Sequence, residues 1–145
     1  MDPITQRMLV AIDGSAHSDR AAAYAISLVK AGLPAQIHFV NVQPPVGGGV
    51  ATFVGRAQID SFHHDEGMKA LAEAKGLADQ AGIDVKLHIR VGAPPGQVIA
   101  DLAKELGCNH LVLGSHGRGR ALDLLLGSAV SDILRRVDIP VTVIK

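Results

Sequence analysis

Aromatic residues are nearly absent: three Phe, one Tyr and no Trp in 145 residues. A base-stacking platform for single-stranded nucleic acid needs such rings, so that role is disfavoured. Cysteine occurs once, at Cys108. No intramolecular disulfide is possible, and a lone cysteine suits a reducing compartment. Its setting, Leu106-Gly107-Cys108-Asn109-His110, reads as a turn before a buried strand, with Cys108 as a small packed side chain. Charge of neither sign predominates, with 14 Lys+Arg against 14 Asp+Glu. Duplex DNA and anionic membranes favour a basic excess, so neither is expected as a partner. No apolar run approaches the roughly 18 residues that span a bilayer. The first residues, Met1 to Arg7, lack the apolar region of a signal peptide. A cytoplasmic location is therefore expected by elimination.

What is present is an apolar chain, 48% hydrophobic, long enough for one domain over residues 1–145 with a sizeable core. Met8–Ile12 is an unbroken apolar run suited to a strand buried on both faces. Asp13-Gly14-Ser15 breaks it, and a helix from about His17 to Ala31 follows, with Ser15 as its N-cap. A second strand covers about Gln36–Val42. Val46 to about Arg56 is glycine-rich and expected to be irregular, either a binding lid or a surface insertion. A long helix from about Gln58 to Ala81 carries Met68, Leu71, Ala74, Leu77, Ala78 and Ala81 as its apolar stripe. Val85–Val91 alternates like an edge strand. A helix then starts at Pro94 or Pro95 with Val98, Ile99, Leu102, Ala103 and Leu106 inward. His110–Leu113 is a fourth strand, Ser128–Val137 the last helix and Val141–Ile144 a fifth strand. Strands and helices in alternation imply a parallel sheet with helices on both faces.

The chemistry concentrates between Gly114 and Ser128. Gly114 and Gly117 let backbone N–H groups approach a ligand without an intervening Cβ. Successive N–H groups in such a turn form an anion-binding concavity. Gly127-Ser128 opens a helix whose first N–H groups are unpaired and whose dipole favours negative charge. Arg118 either adds a charge-assisted phosphate contact or is a solvated surface charge, and Arg120 reads as solvent-facing. These residues describe an anion site after the fourth strand.

The spacing Gly114-x2-Gly117-x9-Gly127-Ser128 resembles the G-x2-G-x9-G-[ST] motif of ATP-binding members of the universal stress protein family. Leu9-Val10-Ala11-Ile12-Asp13-Gly14-Ser15, Val91-Gly92-Ala93-Pro94 and Pro140-Val141-Thr142-Val143-Ile144 extend the resemblance over essentially the whole chain. It implies an adenine nucleotide alpha hydrolase-like fold, a five-stranded parallel sheet ordered 3-2-1-4-5. The first and fourth strands then form a topological switch point, where open α/β sheets place ligands.

The resemblance further implies a set of site residues. Asp13, with Gly14 and Ser15 in its turn, would face the ribose or a phosphate-bound Mg2+. The alternative for Asp13 is a turn former or N-cap ahead of the first helix, and the site reading is preferred. Val42 would line the adenine site. Gly114, Ser115, His116, Gly117 and Arg118 would approach ribose and phosphates, and Gly127, Ser128 and Ala129 would hold the phosphates. Ser128 also reads as an ordinary N-cap, a role compatible with phosphate binding. Val130 stands where many ATP-binding relatives have a small or hydroxylated residue, which implies weaker ATP binding or a shorter nucleotide. A homodimer through the C-terminal strand is implied as well.

Other readings fail on the residues. There is no G-x4-G-K-[ST], so a P-loop ATPase is excluded. Position 122 is Leu where a dinucleotide fingerprint after Gly117 and Gly119 needs a third glycine. Adjacent His63 and His64 point about 100° apart on a helix and make a poor metal pair. No nucleophile and general-base pair is visible, so the expected function is a nucleotide-dependent switch in stress response, with slow ATP hydrolysis at most. The alternative is a dimeric scaffold of the same fold that binds no nucleotide.

Overall fold

The fold is read from a computed structural model that describes residues 6–116 and 126–145. Strands β1 (Gln6–Ala11), β2 (Ala35–Gln43), β3 (Val85–Val91), β4 (His110–Gly114) and β5 (Val141–Ile144) form one sheet in the order β3-β2-β1-β4-β5. Every pairing is parallel, with Val10 opposite Phe39 on β2 and Val112 on β4. The helices are α1 (Ala16–Lys30), α2 (Gly48–Phe53), α3 (Arg56–Gln80), α4 (Pro95–Leu106) and α5 (Ser128–Arg136).

Two apolar cores follow from the pleat, because successive strand residues point to opposite faces. Met8, Val10, Ile37 and Phe39 pack against Ala21, Ala25 and Ile26 of α1 and Leu71, Ala74 and Ala78 of α3. Leu9, Val40, Leu111 and Leu113 pack against Ile99 and Leu102 of α4 and Val130 and Ile133 of α5. Alanines predominate where α1 and α3 meet the sheet, which lets the helix backbones come close. The central strands β1 and β4 are apolar throughout because both of their faces are covered.

Ser15 is the N-cap of α1, its hydroxyl accepting the Ser18 N–H at 3.2 Å. Gly14 before it has φ +83°, a backbone region that other residues rarely adopt. Cys108 is buried, in keeping with its expected packing role.

Two expectations need correction. The stretch after Pro45 is not wholly irregular, since Gly48–Phe53 forms a helix. Its two glycines occupy the first turn, where no N–H depends on an intrahelical acceptor. Met68 is exposed rather than part of the α3 stripe. The buried row runs His63, Gly67, Leu71, Ala74 and Ala78, and Met68 lies about 100° round the helix from Gly67. Gly67 faces the sheet because any Cβ there would lie 2.6 Å from Ile89 Cδ1.

Candidate functional site

At the C-terminal ends of the strands, β1 feeds α1 on one face of the sheet, while the chain beyond β4 resumes as α5 on the other. The divergence opens a cleft of about 190 Å³. Its floor is apolar, built from Val40 and Val42 of β2, Leu113 of β4, Ile99 of α4 and Val130 and Ile133 of α5. Asp13, Ser18 and His116 supply polar groups at its edge, and Ala129 completes the wall at the start of α5.

Local bonding sets each edge residue. The Asp13 carboxylate accepts the Ser15 N–H at 2.9 Å, so it shapes the turn out of β1 while also lining the cleft. Ser18 is committed to the same turn: its hydroxyl donates to the Ser15 carbonyl at 3.0 Å and accepts the Asp13 N–H at 3.3 Å. Beside it, burial pushes the Asp19 carboxyl above its ordinary pKa, with Glu73 and Asp13 adding repulsion.

On the opposite side, Ser115 ties three segments together. Its N–H donates to the Ile144 carbonyl and its own carbonyl accepts the Gly127 N–H, both at 2.7 Å. Ser115 Oγ lies 3.1 Å from His116 Nδ1. The His116 ring meets His17 of α1 edge-on, with centroids 5.5 Å apart. Gly127 is the N-cap of α5, and its carbonyl accepts the Ser131 N–H at 3.0 Å. The N–H groups of Ser128, Ala129 and Val130 form the first turn of that helix, where no intrahelical acceptor exists.

Of the residues singled out in the sequence, Asp13, Val42, Gly114, His116, Ala129 and Val130 line the cleft together. Gly14 packs against Ala70 of α3 instead, and Ser15 serves α1 as its cap. Ser115 and Gly127 are buried in the bonding just described, while Ser128 is exposed at the helix start. Gly117 and Arg118 lie outside the described residues. Sequence reasoning missed Pro95 and Ile99, which bring α4 into the cleft. Pro94-Pro95 marks a helix start at that end of the sheet, but no linear pattern places it over the cleft. Among the described residues, no group of His, Cys, Asp or Glu is arranged to hold a metal ion. None of their helices is long and apolar enough to cross a membrane.

An open parallel sheet wound on both faces, with a cleft at its topological switch point, defines the doubly wound α/β class. Within that class the chain belongs to the universal stress protein family, whose model matches residues 5–145. It shares that family's adenine nucleotide alpha hydrolase-like fold. Universal stress protein Rv2005c of Mycobacterium tuberculosis is 34% identical over 94% of this chain and 47% of its own length. The chain thus spans about half the length of the mycobacterial relatives it matches. The solved structure of MJ0577, a universal stress protein of Methanocaldococcus jannaschii, superposes with a TM-score of 0.81 at 22% identity, covering 98% of this chain and 96% of that one. A universal stress protein solved in complex with cAMP gives a TM-score of 0.72 at 28% identity, covering 97% of each chain.

Proposed function

We propose that this chain binds an adenine nucleotide in the cleft between β1 and β4 and acts as a nucleotide-dependent switch. The observation that carries this reading is the pairing of an apolar floor with the unpaired first-turn N–H groups of α5 at its rim. A flat base suits the floor formed by Val40, Val42, Ile99 and Leu113. Phosphate suits helix N–H groups and the helix dipole. The similar protein holding cAMP supports the same ligand class.

The residues present fit the base and ribose better than a triphosphate. The cleft is below the roughly 300–1,000 Å³ of most small-molecule pockets, so phosphates would extend past it along α5. Gly127 N–H is already bonded to Ser115, which leaves Ser128, Ala129, Val130 and the Ser128 hydroxyl as donors on that helix. Val130 offers no side-chain donor to a terminal phosphate. ATP with Mg2+ remains the family-implied ligand, with Asp13 facing the metal-bearing phosphates. AMP or cAMP is the better match to this chain's own residues.

The hydroxyl beside His116, Ser115 Oγ, is buried behind the cleft rather than facing it, so hydrolysis is slow at most. Nucleotide at 100 times its Kd would stabilise the folded form by about 2.7 kcal/mol. That linkage tightens the β4–α5 connection and biases a partner surface. In this reading residues 1–145 act as one cytoplasmic domain, paired as a homodimer through the edge strand β5. The engaged Gly127 N–H and the buried Val130 favour one competing reading, a dimeric scaffold with no nucleotide.

Purified protein is to be denatured and the supernatant chromatographed for adenine nucleotide, then refolded protein titrated calorimetrically with AMP, cAMP and ATP. Binding of at least one is expected, competed by the others. No heat and no thermal shift with any of the three would leave the scaffold reading in its place. Sedimentation equilibrium at micromolar concentration tests the dimer independently.

A further inference from the structure

On the face of the sheet covered by α4, two histidines meet beside the cleft floor, His88 lying opposite Val40 in the ladder. His38 of β2 is only 4% exposed, and its Nδ1 lies 2.9 Å from Nε2 of His88 on edge strand β3. The rings sit 5.1 Å apart at 32°. A hydrogen bond between two ring nitrogens needs one to donate and the other to accept, so one of the two must be unprotonated. Protonating both rings destroys the bond. The His38 Nε2 atom is buried and has no hydrogen-bond partner among the described residues.

The surroundings oppose added positive charge. Arg7 of β1 and Lys86 of β3 face His38, while Lys86 and Arg90 of β3 face His88. Glu105 of α4 is the acidic group facing the pair, and it is engaged by Arg90 at 3.0 Å. Burial lowers the pKa of both rings, with the neighbouring cations adding to it. β3 is joined to the sheet through β2 alone.

We propose that His38 and His88 form an acid-released latch, holding β3 and the Glu105 end of α4 to the sheet when neutral and loosening them when protonated. The folded form keeps these rings neutral, while the unfolded chain protonates them near pH 6.5. Their contribution is therefore complete above that value and is lost as pH falls below it. Loosening stays local first, because an edge strand has a ladder on one side only. The same α4 supplies Pro95 and Ile99 to the cleft, so the loosened helix also alters that wall.

Amide hydrogen exchange, corrected for intrinsic rates, is to be compared at about pH 7.5 and about pH 5.5, either side of the ordinary histidine value. Protection over Val85–Val91 is expected to fall by at least about tenfold at the lower pH while β1 keeps its own. In His88→Gln, which bonds but does not titrate, only His38 is left to respond to pH, so that difference should shrink markedly. Should this variant not fold, NMR titration of the parent's imidazoles decides. Both rings should remain neutral in the folded form well below pH 6.5, with β3 protection falling progressively from about pH 6.5 down to their midpoint. Equal β3 protection at both pH values, or an equal loss in β1, would overturn the latch.

Discussion

Gly114 and His17 touch through their backbones: a Cβ on Gly114 would lie 2.8 Å from the His17 carbonyl carbon. The glycine that begins the family motif is thus demanded by the packing of α1 on β4. Its other neighbours at that spot are His17 Cβ and carbonyl oxygen, at 2.8 and 2.9 Å. Backbone cannot swing aside as a side-chain tip can. Gly114→Ala should destabilise the fold by about 1–3 kcal/mol through overpacking. Urea unfolding checks this, and an unchanged midpoint would contradict the contact.

Ser15 holds the start of α1 through the Ser18 N–H. Ser15→Ala removes that acceptor and should cost about 1 kcal/mol, with Ser15→Asp retaining most of the stability. The comparison of the two variants by thermal melting separates capping from any other effect of the side chain.

Val130 is 5% exposed and lies between the apolar core and the cleft. Val130→Thr keeps the shape but buries a hydroxyl, with an expected penalty of about 1–3 kcal/mol. Under the nucleotide reading the same hydroxyl gives phosphate a donor, so ATP should gain affinity relative to AMP. Calorimetric titration of parent and variant with both ligands reads the ratio.

Cys108 is buried, and that burial raises its thiol pKa, with Arg7 opposing in part. Thiolate is the reactive form, so labelling of native protein near neutral pH should be at least about tenfold slower than in urea. Rapid labelling under native conditions would show that the turn after α4 opens readily.

His110 of β4 lies 2.7 Å from Thr142 Oγ1 on β5, and burial lowers its pKa. A depressed histidine pKa means the folded form prefers the neutral ring. Its stabilising effect is present above about pH 6.5 and declines as pH falls. His110→Gln should therefore flatten the acid side of a plot of melting temperature against pH. This effect belongs to β4 and β5, which separates it from the histidine pair on β2 and β3.

Much of the architecture was legible in the residues. Apolar runs such as Met8–Ile12 and glycine stops at Gly32, Gly82 and Gly107 mark strands and helix ends through local chemistry. All three glycines do have positive φ. Of the cleft lining, Asp13 and Gly114, at the two strand ends that meet at the switch point, and Val42, near the end of β2, were legible. Pro95 and Ile99 were not, because nothing in a linear pattern tells which helix end leans over a cleft. Helix α2 was hidden by its glycines, and the close contact of Gly67 with Ile89 is set by packing alone.

By itself, the order of residues determined the alternating elements and the family motif, since hydrophobic period and turn chemistry are local properties, while the strand order and its switch point were implied by the family resemblance. Only the tertiary structure decided that Gly127 spends its N–H on Ser115, that Gly114 is pressed against His17, and that His38 faces His88 from 50 residues away. Those are relations between segments brought together by packing. They depend on distances through space that spacing along a chain does not encode.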